Sequence, residues 1–208
     1  DDISFKFFYA SHILGACSIE LTIDGKVLVF SGDIGQDDDV LMFPPQKPKK
    51  ADYVFLESTY GNRLHPQADA LLELEVIINN TFNKGGMVII PSFAVERVQT
   101  MMYLIWQLKK EERIPNMPYI IDTPMGISVL DVFKDCDEMC KVFTLISDYK
   151  DSMNAVYDKQ PKVVIAASGM ITGGRVLSYL ERLIDKPETT VTLVGYQAEG
   201  TRGRKLLE

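Results

Sequence analysis

Asp33 is the first residue of the chain whose type and position suggest chemistry. It ends an apolar run and stands between Gly32 and Gly35 in the stretch VFSGDIGQDDDV. The acids that follow at 37–39 are adjacent, which is typical of a solvated loop. A separate carboxylate at the end of a strand, beside backbone that turns tightly, is instead suited to binding a ligand or a metal ion.

His12 is the natural partner for such a carboxylate. It opens the loop ASHILGACS directly after the first predicted strand. An imidazole nitrogen and a carboxylate oxygen could together bind one divalent metal ion. A catalytic zinc site takes about three protein ligands and a water molecule. The pair by itself therefore also fits a histidine that merely caps a turn at the surface.

The remaining candidates follow the predicted strands. Ligands of open parallel sheets bind at the carboxyl ends of strands. In this chain those ends combine small residues with polar ones, in SGDIG, ESTYGNRLH, PSFAVER, DTPMG, ASGMITGGR and GYQAEGTRGR. The arginines that accompany them are Arg63, Arg97, Arg175, Arg202 and Arg204. Since a guanidinium donates two parallel hydrogen bonds to phosphate, a phosphate-rich substrate is the economical explanation. The alternative is that short turns use Gly and Ser anyway, and that the arginines pair with acids.

Two kinds of element must position these residues. Up to about residue 60 the pattern is β-rich, with an Asp-Gly hairpin turn and a last strand, YVFLES, that reads as buried. The strands are predicted at 4–9, 19–23, 27–31 and 53–58. Short apolar strands then alternate with helices, the first of them predicted over 66–83. This alternation predicts an α/β fold with a mainly parallel sheet covered on both faces.

The composition excludes several classes of protein. The net charge of −7 argues against a generally basic nucleic-acid coat, although a local basic groove is compatible with it. The chain shows neither an apolar run of membrane-spanning length nor a signal-peptide pattern. Three cysteines argue against a disulfide framework and favour a reducing cytoplasm. Neither a dinucleotide fingerprint nor a Walker lysine motif is present, which disfavours nicotinamide cofactors and P-loop nucleotide hydrolysis.

Seven motifs follow one another through nearly the whole chain. They are ASHILGACSIEL, VFSGDIG, VFLESTYGNRLH, GMVIIPSFAVERVQ, IIDTPMG, VVIAASGMITGGRVLSYL and LVGYQAEGTRGRKLL. The ordered set resembles the β-CASP nucleases of the metallo-β-lactamase superfamily, which are RNA-processing metallo-hydrolases. The resemblance implies the later part of a metallo-β-lactamase αββα lobe over 1–61 and a Rossmann-like β-CASP domain over 62–208. It also implies single-stranded RNA as the partner and two zinc ions in the full-length protein, and it leaves a homodimer open.

The same resemblance implies roles for individual residues. His12 matches a zinc-ligating histidine and Asp33 a carboxylate that bridges two zinc ions, with Gly32 and Gly35 leaving room for the metals and their water. Glu57 matches an acid that supports the histidine which helps to protonate the leaving oxygen. Asp33 and Glu57 are therefore the predicted catalytic residues. The predicted substrate-binding residues, lining an RNA cleft between the two domains, are Ser92, Phe93, Arg97, Ser168, Gly169 and Arg175.

The chain also departs from the family pattern. The cluster His-x-His-x-Asp-His is missing, and two histidines cannot build the family's dinuclear centre. We therefore expect an internal fragment of a zinc-dependent ribonuclease, which begins mid-strand, stops in a helix start and does not hydrolyse RNA alone. The alternatives are a catalytically silent RNA- or protein-binding subunit of the same architecture, or a metallo-hydrolase that acts on a small phosphoester or thioester.

Two weaker candidates remain. Cys136 and Cys140 are four residues apart and share one face if they are helical. Such a pair could bind a metal ion, although no second pair accompanies it. His65 follows the YGNR turn and could either support that turn or touch substrate.

Overall fold

The structure is a computed structural model that describes residues 3–64, 68–133 and 136–208. The chain forms two compact units, Asp1–Gln67 and Ala68–Glu208. His65 and the predicted helix start at Pro66 lie outside the described residues. The predicted domain boundary between 61 and 62 stays a prediction. Among the helices of the described ranges, none is long and apolar enough to cross a membrane.

The first unit is built on one four-stranded sheet. Its strands are β1 (Ile3–Tyr9), β2 (Cys17–Ile23), β3 (Lys26–Phe30) and β4 (Tyr53–Phe55), and they lie side by side in that order. The turn between β2 and β3 has Asp24 and Gly25 at positive φ, 48° and 72°, as expected of a two-residue Asp-Gly turn. The β1–β2 and β2–β3 pairs are antiparallel, whereas β3 and β4 are parallel. Three strands, β1, β3 and β4, therefore run in the same direction.

One face of this sheet is apolar along most of its length. The register aligns Phe5 with Leu21, Leu21 with Leu28, and Leu28 with Tyr53, so that alternate residues of all four strands share this face. On the same face, the rings of Phe30 and Phe55 stack with their centroids 4.6 Å apart. The side chains Ile3, Phe5, Phe7, Tyr53 and Phe55 are 53–63% exposed. An exposed apolar patch of this kind marks a surface that meets a partner.

The expectation that YVFLES forms a buried strand is wrong. β4 is a short edge strand with β3 as its neighbour, and Tyr53, Val54 and Phe55 are 58%, 61% and 53% exposed. A short apolar run looks the same in sequence whether it lies in the middle of a covered sheet or at an uncovered edge. Burial at this position is decided by packing partners, which the local pattern does not contain.

The second unit holds a five-stranded parallel sheet. Its strands are β5 (Val88–Pro91), β6 (Tyr119–Asp122), β7 (Thr144–Leu145), β8 (Val163–Ala166) and β9 (Thr190–Val191). They are ordered β7-β6-β8-β5-β9, and each of the pairings is parallel. The predicted α/β fold with a mainly parallel sheet is confirmed. All five strands consequently end at the same edge of the sheet.

Seven helices accompany the strands in the described part of this unit. They are α1 (Ala70–Asn83), α2 (Arg97–Lys110), α3 (Pro124–Leu130), α4 (Asp137–Cys140), α5 (Tyr149–Tyr157), α6 (Val176–Leu183) and α7 (Arg202–Leu207). Asp69 caps α1 by accepting hydrogen bonds from two backbone N–H groups of the first turn. The helix therefore begins at Ala70, after a cap that the predicted start did not recognise. Asp148 caps α5 in the same way.

Alternation along the strands divides the core of this unit into two layers. Alternate side chains of each strand point to opposite faces of the sheet. Those on one face pack with α1 and α2, and those on the other face pack with α5 and α6. The first layer includes Val88, Ile90, Ile121, Val163 and Ile165. The second includes Ile89, Ile120, Val164 and Ala166. Continuous apolar strands are what a sheet covered on both faces requires, and each fully buried aliphatic side chain contributes about 1.5–3 kcal/mol.

Asp122, the last residue of β6, connects several elements at the carboxyl ends of the strands of this sheet. Its side chain is fully buried. The carboxylate accepts hydrogen bonds from Arg175 Nη1 at 2.6 Å, Ser152 Oγ at 2.6 Å and Tyr179 OH at 2.8 Å. Arg175 also donates to two carbonyl oxygens that follow β7. Burial, aided by the charge of Asp122, raises the pKa of Tyr179, so this hydroxyl remains a donor.

Replacement of Arg175 by Met should strongly destabilise the second unit. The substitution leaves the Asp122 carboxylate buried without its counter-ion, which typically costs about 3–5 kcal/mol. The matched control is Arg204→Met, which removes a guanidinium paired with the exposed Glu208 and should change the stability little, because surface ion pairs contribute little. Urea unfolding followed by the fluorescence of Trp106, in α2, measures both. Equal, small losses would contradict the structural role of the buried pair.

Candidate functional site

Three residues with acid–base or metal-ligating side chains meet at one edge of the first sheet. His12 lies three residues beyond β1, Asp33 three beyond β3 and Glu57 two beyond β4. Because these strands run in the same direction, their carboxyl ends reach the same edge. The topology thus brings together residues separated by 45 positions in the chain.

The side chains of this edge are close enough to act together. His12 Nε2 lies 3.8 Å from Asp33 Oδ2. Glu57 Oε1 accepts a hydrogen bond from the backbone N–H of Ile34, next to Asp33, at 3.4 Å. The side chains of His12 and Asp33 are 47% and 74% exposed, so both can reach a ligand from solvent. We call His12, Asp33 and Glu57 the acidic edge site.

Glu57 is held in its charged form. The backbone N–H of Thr59 donates to Glu57 Oε2 at 3.0 Å, and this bond is the largest cause that lowers the pKa of Glu57 below its ordinary value. Partial burial opposes the shift, while the Ile34 N–H and the charge of His12 support it. The carboxylate is therefore suited to orient a donor rather than to supply a proton.

Ser31 connects the loops of the acidic edge site through hydrogen bonds. Sequence reasoning missed this residue. Its backbone N–H donates to Phe55 O at 2.9 Å, and its Oγ accepts the backbone N–H of Glu57 at 2.9 Å. Ser18 Oγ donates to Ser31 O at 2.7 Å. One buried serine thus links the ends of three strands and sets the separation of Asp33 and Glu57. The only sequence signal was its place directly before the Gly-Asp pair.

The two glycines beside Asp33 lie against backbone carbonyl groups of other segments. A Cβ on Gly35 would overlap the carbonyl oxygen of Ser11, and the Gly35 N–H donates to Ala10 O at 2.8 Å. Gly32 has φ +56° and lies against the Cys17 carbonyl oxygen. The expectation that these glycines leave room for metals and their water stays a prediction. They allow two loops to approach each other closely, which brings His12 toward Asp33.

The donors present fit part of a zinc centre. His12 and Asp33 offer the nitrogen and oxygen atoms that zinc accepts. Within residues 3–64, 68–133 and 136–208, however, no group of three or more His, Cys, Asp or Glu side chains could hold a metal ion. A catalytic zinc site takes about three protein ligands. The described residues therefore do not complete the expected centre by themselves.

A second group of predicted residues meets at the carboxyl edge of the five-stranded sheet. Phe93 follows β5, and Gly169 follows the neighbouring strand β8. The ring of Phe93 lies so close to Gly169 that a Cβ there would approach it to 2.8 Å, and a Cβ on Gly195 would approach it to 3.2 Å. The phenylalanine is 39% exposed. It lies against glycine backbone and presents part of its ring to solvent, as a stacking surface requires.

The other predicted substrate-binding residues differ in accessibility. Arg97, the first residue of α2, keeps 40% of its side chain exposed and lies 3.8 Å from Glu96 Oε2. Ser168 Oγ accepts the backbone N–H groups of Thr172 and Gly173, which organises the glycine-rich turn after β8. Ser92, in contrast, is fully buried, and its N–H donates to Ala166 O.

Arg175 is committed to the Asp122 ion pair and is mostly buried, with 18% of its side chain exposed. Its predicted contact with substrate stays a prediction. The Cys136 and Cys140 thiols are adjacent, with the sulfur atoms 3.6 Å apart, and burial raises the pKa of Cys140 to about 12. A protonated thiol is a poor metal ligand, and no metal-holding group includes the pair among the described residues.

Comparison with known proteins decides the family. The model of the Beta-Casp domain matches residues 98–206, slightly more than half of the chain. This chain belongs to the β-CASP family. The resemblance to β-CASP nucleases of the metallo-β-lactamase superfamily is thereby confirmed.

Curated relatives of this β-CASP protein align along its whole length. It is 34% identical to the RNase J-like protein of Methanocaldococcus jannaschii, over 100% of this chain and 52% of the relative. It is 31% identical to the ribonuclease TTHA0252 of Thermus thermophilus, over 99% of this chain and 51% of the relative. It is 30% identical to the endoribonuclease YSH1 of Candida glabrata, over 99% of this chain and 29% of the relative. The chain thus spans about half the length of the first two.

Two residues of the β-CASP domain escaped sequence reasoning. Asp122 ends an apolar strand just as Asp33 does, and that parallel was the available signal. Gln197 is nearly buried, and its Nε2 donates to the carbonyl oxygens of Gly169 and Gly195 at 2.9 and 3.0 Å. It therefore fixes the two glycines on which Phe93 lies. A glutamine in a loop gives no sequence signal, since most such residues are solvated.

Substitution of Gly35 by Ala should loosen the acidic edge site. The new methyl group would overlap the Ser11 carbonyl, and such overpacking typically costs about 1–3 kcal/mol. Hydrogen–deuterium exchange should accelerate in the segment 10–36. Gly173→Ala is the matched control, because a Cβ on Gly173 meets no atom within 4 Å. Unchanged exchange in the Gly35 variant would show that this close approach does not hold the edge.

Proposed function

We propose that this chain is a portion of a zinc-dependent, RNA-processing nuclease that hydrolyses phosphodiester bonds. The observation that carries the proposal is the acidic edge site, in which His12, Asp33 and Glu57 converge from three parallel-running strand ends. The β-CASP membership of the chain and the names of its relatives, which include a ribonuclease and an endoribonuclease, support the same reaction class.

His12 and Asp33 would hold metal in this proposal. Their donor atoms lie 3.8 Å apart and are exposed, so both can bind ions without rearrangement of the fold. When bound, a pair of zinc ions supplies charge stabilisation for the attacking and leaving oxygens of a phosphoryl centre. Glu57, kept charged by the Thr59 N–H, would orient a histidine that protonates the leaving oxygen.

The remaining metal ligands would come from residues beyond this chain. Two observations support an incomplete portion. The chain spans about half the length of relatives such as the Methanocaldococcus jannaschii protein. The first sheet also exposes an apolar face that contains Phe5, Phe7 and Phe55, and a further layer of the same protein would cover it.

Single-stranded RNA is the proposed substrate. Phe93 would stack on a base, supported by the glycines beneath its ring. Arg97 would bind a phosphate with its exposed guanidinium. Ser168 and Gly169 would let the RNA backbone approach closely, while Ser92 and Arg175, which are mostly buried, would support them.

Replacement of Asp33 by Ala in the full-length protein should abolish zinc-dependent RNA cleavage. We expect a loss of roughly 100-fold or more, the scale reached when stabilisation of transition-state charge is removed. Asp38→Ala, an acid of the same loop, is the matched control and should retain activity. Cleavage of single-stranded RNA and bound zinc are measured together. The 208-residue chain alone should not cleave RNA.

Three outcomes would contradict this assignment. Full activity and zinc content in the Asp33 variant would remove that residue from the metal site. RNA binding without cleavage by the wild-type full-length protein would favour the silent subunit. Turnover of small phosphoesters or thioesters with no action on RNA would favour the small-substrate hydrolase.

Arg97→Ala should weaken RNA binding at low salt and flatten its salt dependence. Loss of one phosphate contact to a single strand lowers the slope of log affinity against log salt by about 0.7. Lys141→Ala, an exposed lysine of the same unit, is the control for the change of charge. Fluorescence anisotropy with a labelled RNA gives both slopes. If the two variants have the same slope, Arg97 does not contact phosphate.

A further inference from the structure

The second unit, Ala68–Glu208, contains the residues that match the Beta-Casp domain, and we call it the β-CASP unit. A concave surface of this unit lies away from Phe93 and Arg97. It is a cavity of about 540 Å³. Its wall includes Gly86 and Met87, which precede β5, and Glu188 and Thr189, which precede β9. The cavity therefore lies at the amino ends of the parallel strands, the edge opposite to the predicted substrate-binding residues. Its size falls in the range of about 300–1,000 Å³ that small-molecule sites occupy.

The wall of this cavity carries uncompensated positive charge. Lys159, Arg182 and Lys186 line it and are exposed. Within the described part of the chain, Lys159 and Arg182 form no ion pair, and Lys186 Nζ lies 3.5 Å from its neighbour Asp185. The acids of the wall offset only part of this charge. Asp158 is bound at 2.8 Å to a buried lysine, which leaves Glu188 as the remaining carboxylate. A basic concavity in a chain of net charge −7 favours an anionic ligand.

An aromatic ring borders the same charges. Tyr157, the last residue of α5, is 59% exposed. The guanidinium of Arg182 lies over its ring, 4.6 Å from the centroid. Cations at helix ends are also favoured by the helix dipole, so the charges alone do not identify a ligand. An exposed ring beside two cations that form no ion pair adds the combination that single-stranded nucleic acid recognises, namely stacking and phosphate contacts.

We propose that this cavity and Tyr157 form an accessory site for a nucleotide unit of single-stranded RNA. Lys159 and Arg182 hold phosphate groups, and Tyr157 stacks on a base. The inference rests on the proposed function, because RNA is the substrate assigned there. Since the cavity and Phe93 lie at opposite edges of one sheet, this site lengthens the bound stretch of RNA and takes no part in hydrolysis.

Removal of the two cations tests the phosphate contacts. The double variant Lys159→Gln/Arg182→Gln should lower the salt slope for a 15-nucleotide oligouridylate by about 1.4, since each phosphate contact contributes about 0.7. The matched control is Lys110→Gln/Lys141→Gln, which removes the same charge. Lys110 also lies over an aromatic ring, that of Trp106, at 5.1 Å. The four side chains are exposed, so circular dichroism should show intact folding of the 208-residue chain.

Removal of the ring tests stacking. Tyr157→Ala should weaken binding of the oligouridylate by roughly tenfold, the scale of one stacked base. Tyr149→Ala is the control, because Tyr149 begins the same helix and is 67% exposed. A crosslink from 4-thiouridine in the RNA to Tyr157, but not to Tyr149, is expected on irradiation.

The outcomes separate the two proposals. If Arg97→Ala weakens RNA binding while the Lys159/Arg182 double variant behaves like its control, the accessory site is overturned and the proposed function stands. If the wild-type full-length protein does not bind the oligouridylate, RNA is overturned as the ligand of both sites. If uridine 5′-monophosphate binds the cavity more tightly than the oligouridylate does, a free nucleotide replaces RNA as its occupant.

Discussion

The buried ion pair between Asp122 and Arg175 is the interaction on which the β-CASP unit depends. A parallel sheet leaves its strand ends as separate loops, and these loops must be held in place if they are to form one surface. Asp122 does so from the end of β6, because its carboxylate joins α5, α6 and, through Arg175, the residues after β7. A buried charge in that position is stabilised by three hydrogen-bond donors, one of which is the Arg175 guanidinium.

In the acidic edge site the aspartate is exposed, whereas Asp122 is buried. Asp33 also follows an apolar strand, but its side chain is mostly exposed and has His12 as a neighbour rather than a buried guanidinium. Contacts between uncharged groups hold the loops of this site in place, namely the Ser31 hydrogen bonds and the close approach of Gly35 to Ser11. The Asp122 carboxylate is thus committed to support, whereas the Asp33 carboxylate is open to solvent. Their environments, and not their residue type, cause this difference.

The α/β fold was predictable because its signal is local and repeated. Apolar strands alternate with amphipathic helices, and each strand of the β-CASP unit needs two covered faces. The burial of β4 was not predictable, since Tyr53, Val54 and Phe55 form an apolar run whose covering layer is not a local property. The start of α1 was misplaced for a similar reason, because the cap at Asp69 was not recognised.

The candidate residues show the same limit. Residue type and position at strand ends indicate His12 and Asp33, and the family resemblance adds Glu57. The common direction of β1, β3 and β4 places the three together. Arg97 and Arg175 looked alike in sequence, yet one is exposed and the other is held by Asp122. Ser31 and Gln197 carried no comparable signal, because a small polar residue acts through whichever backbone groups the fold brings to it.

The sequence by itself determined the α/β alternation, the motifs of the family and the positions of residues whose types suit metal or phosphate. These properties depend on residue type and spacing, which the chain contains before it folds. Tertiary structure alone decided which carboxylate is buried, which arginine is exposed, and that a basic cavity beside Tyr157 lies at the amino edge of the sheet. Such properties depend on contacts between distant segments, and no local pattern encodes the neighbours that a side chain will meet.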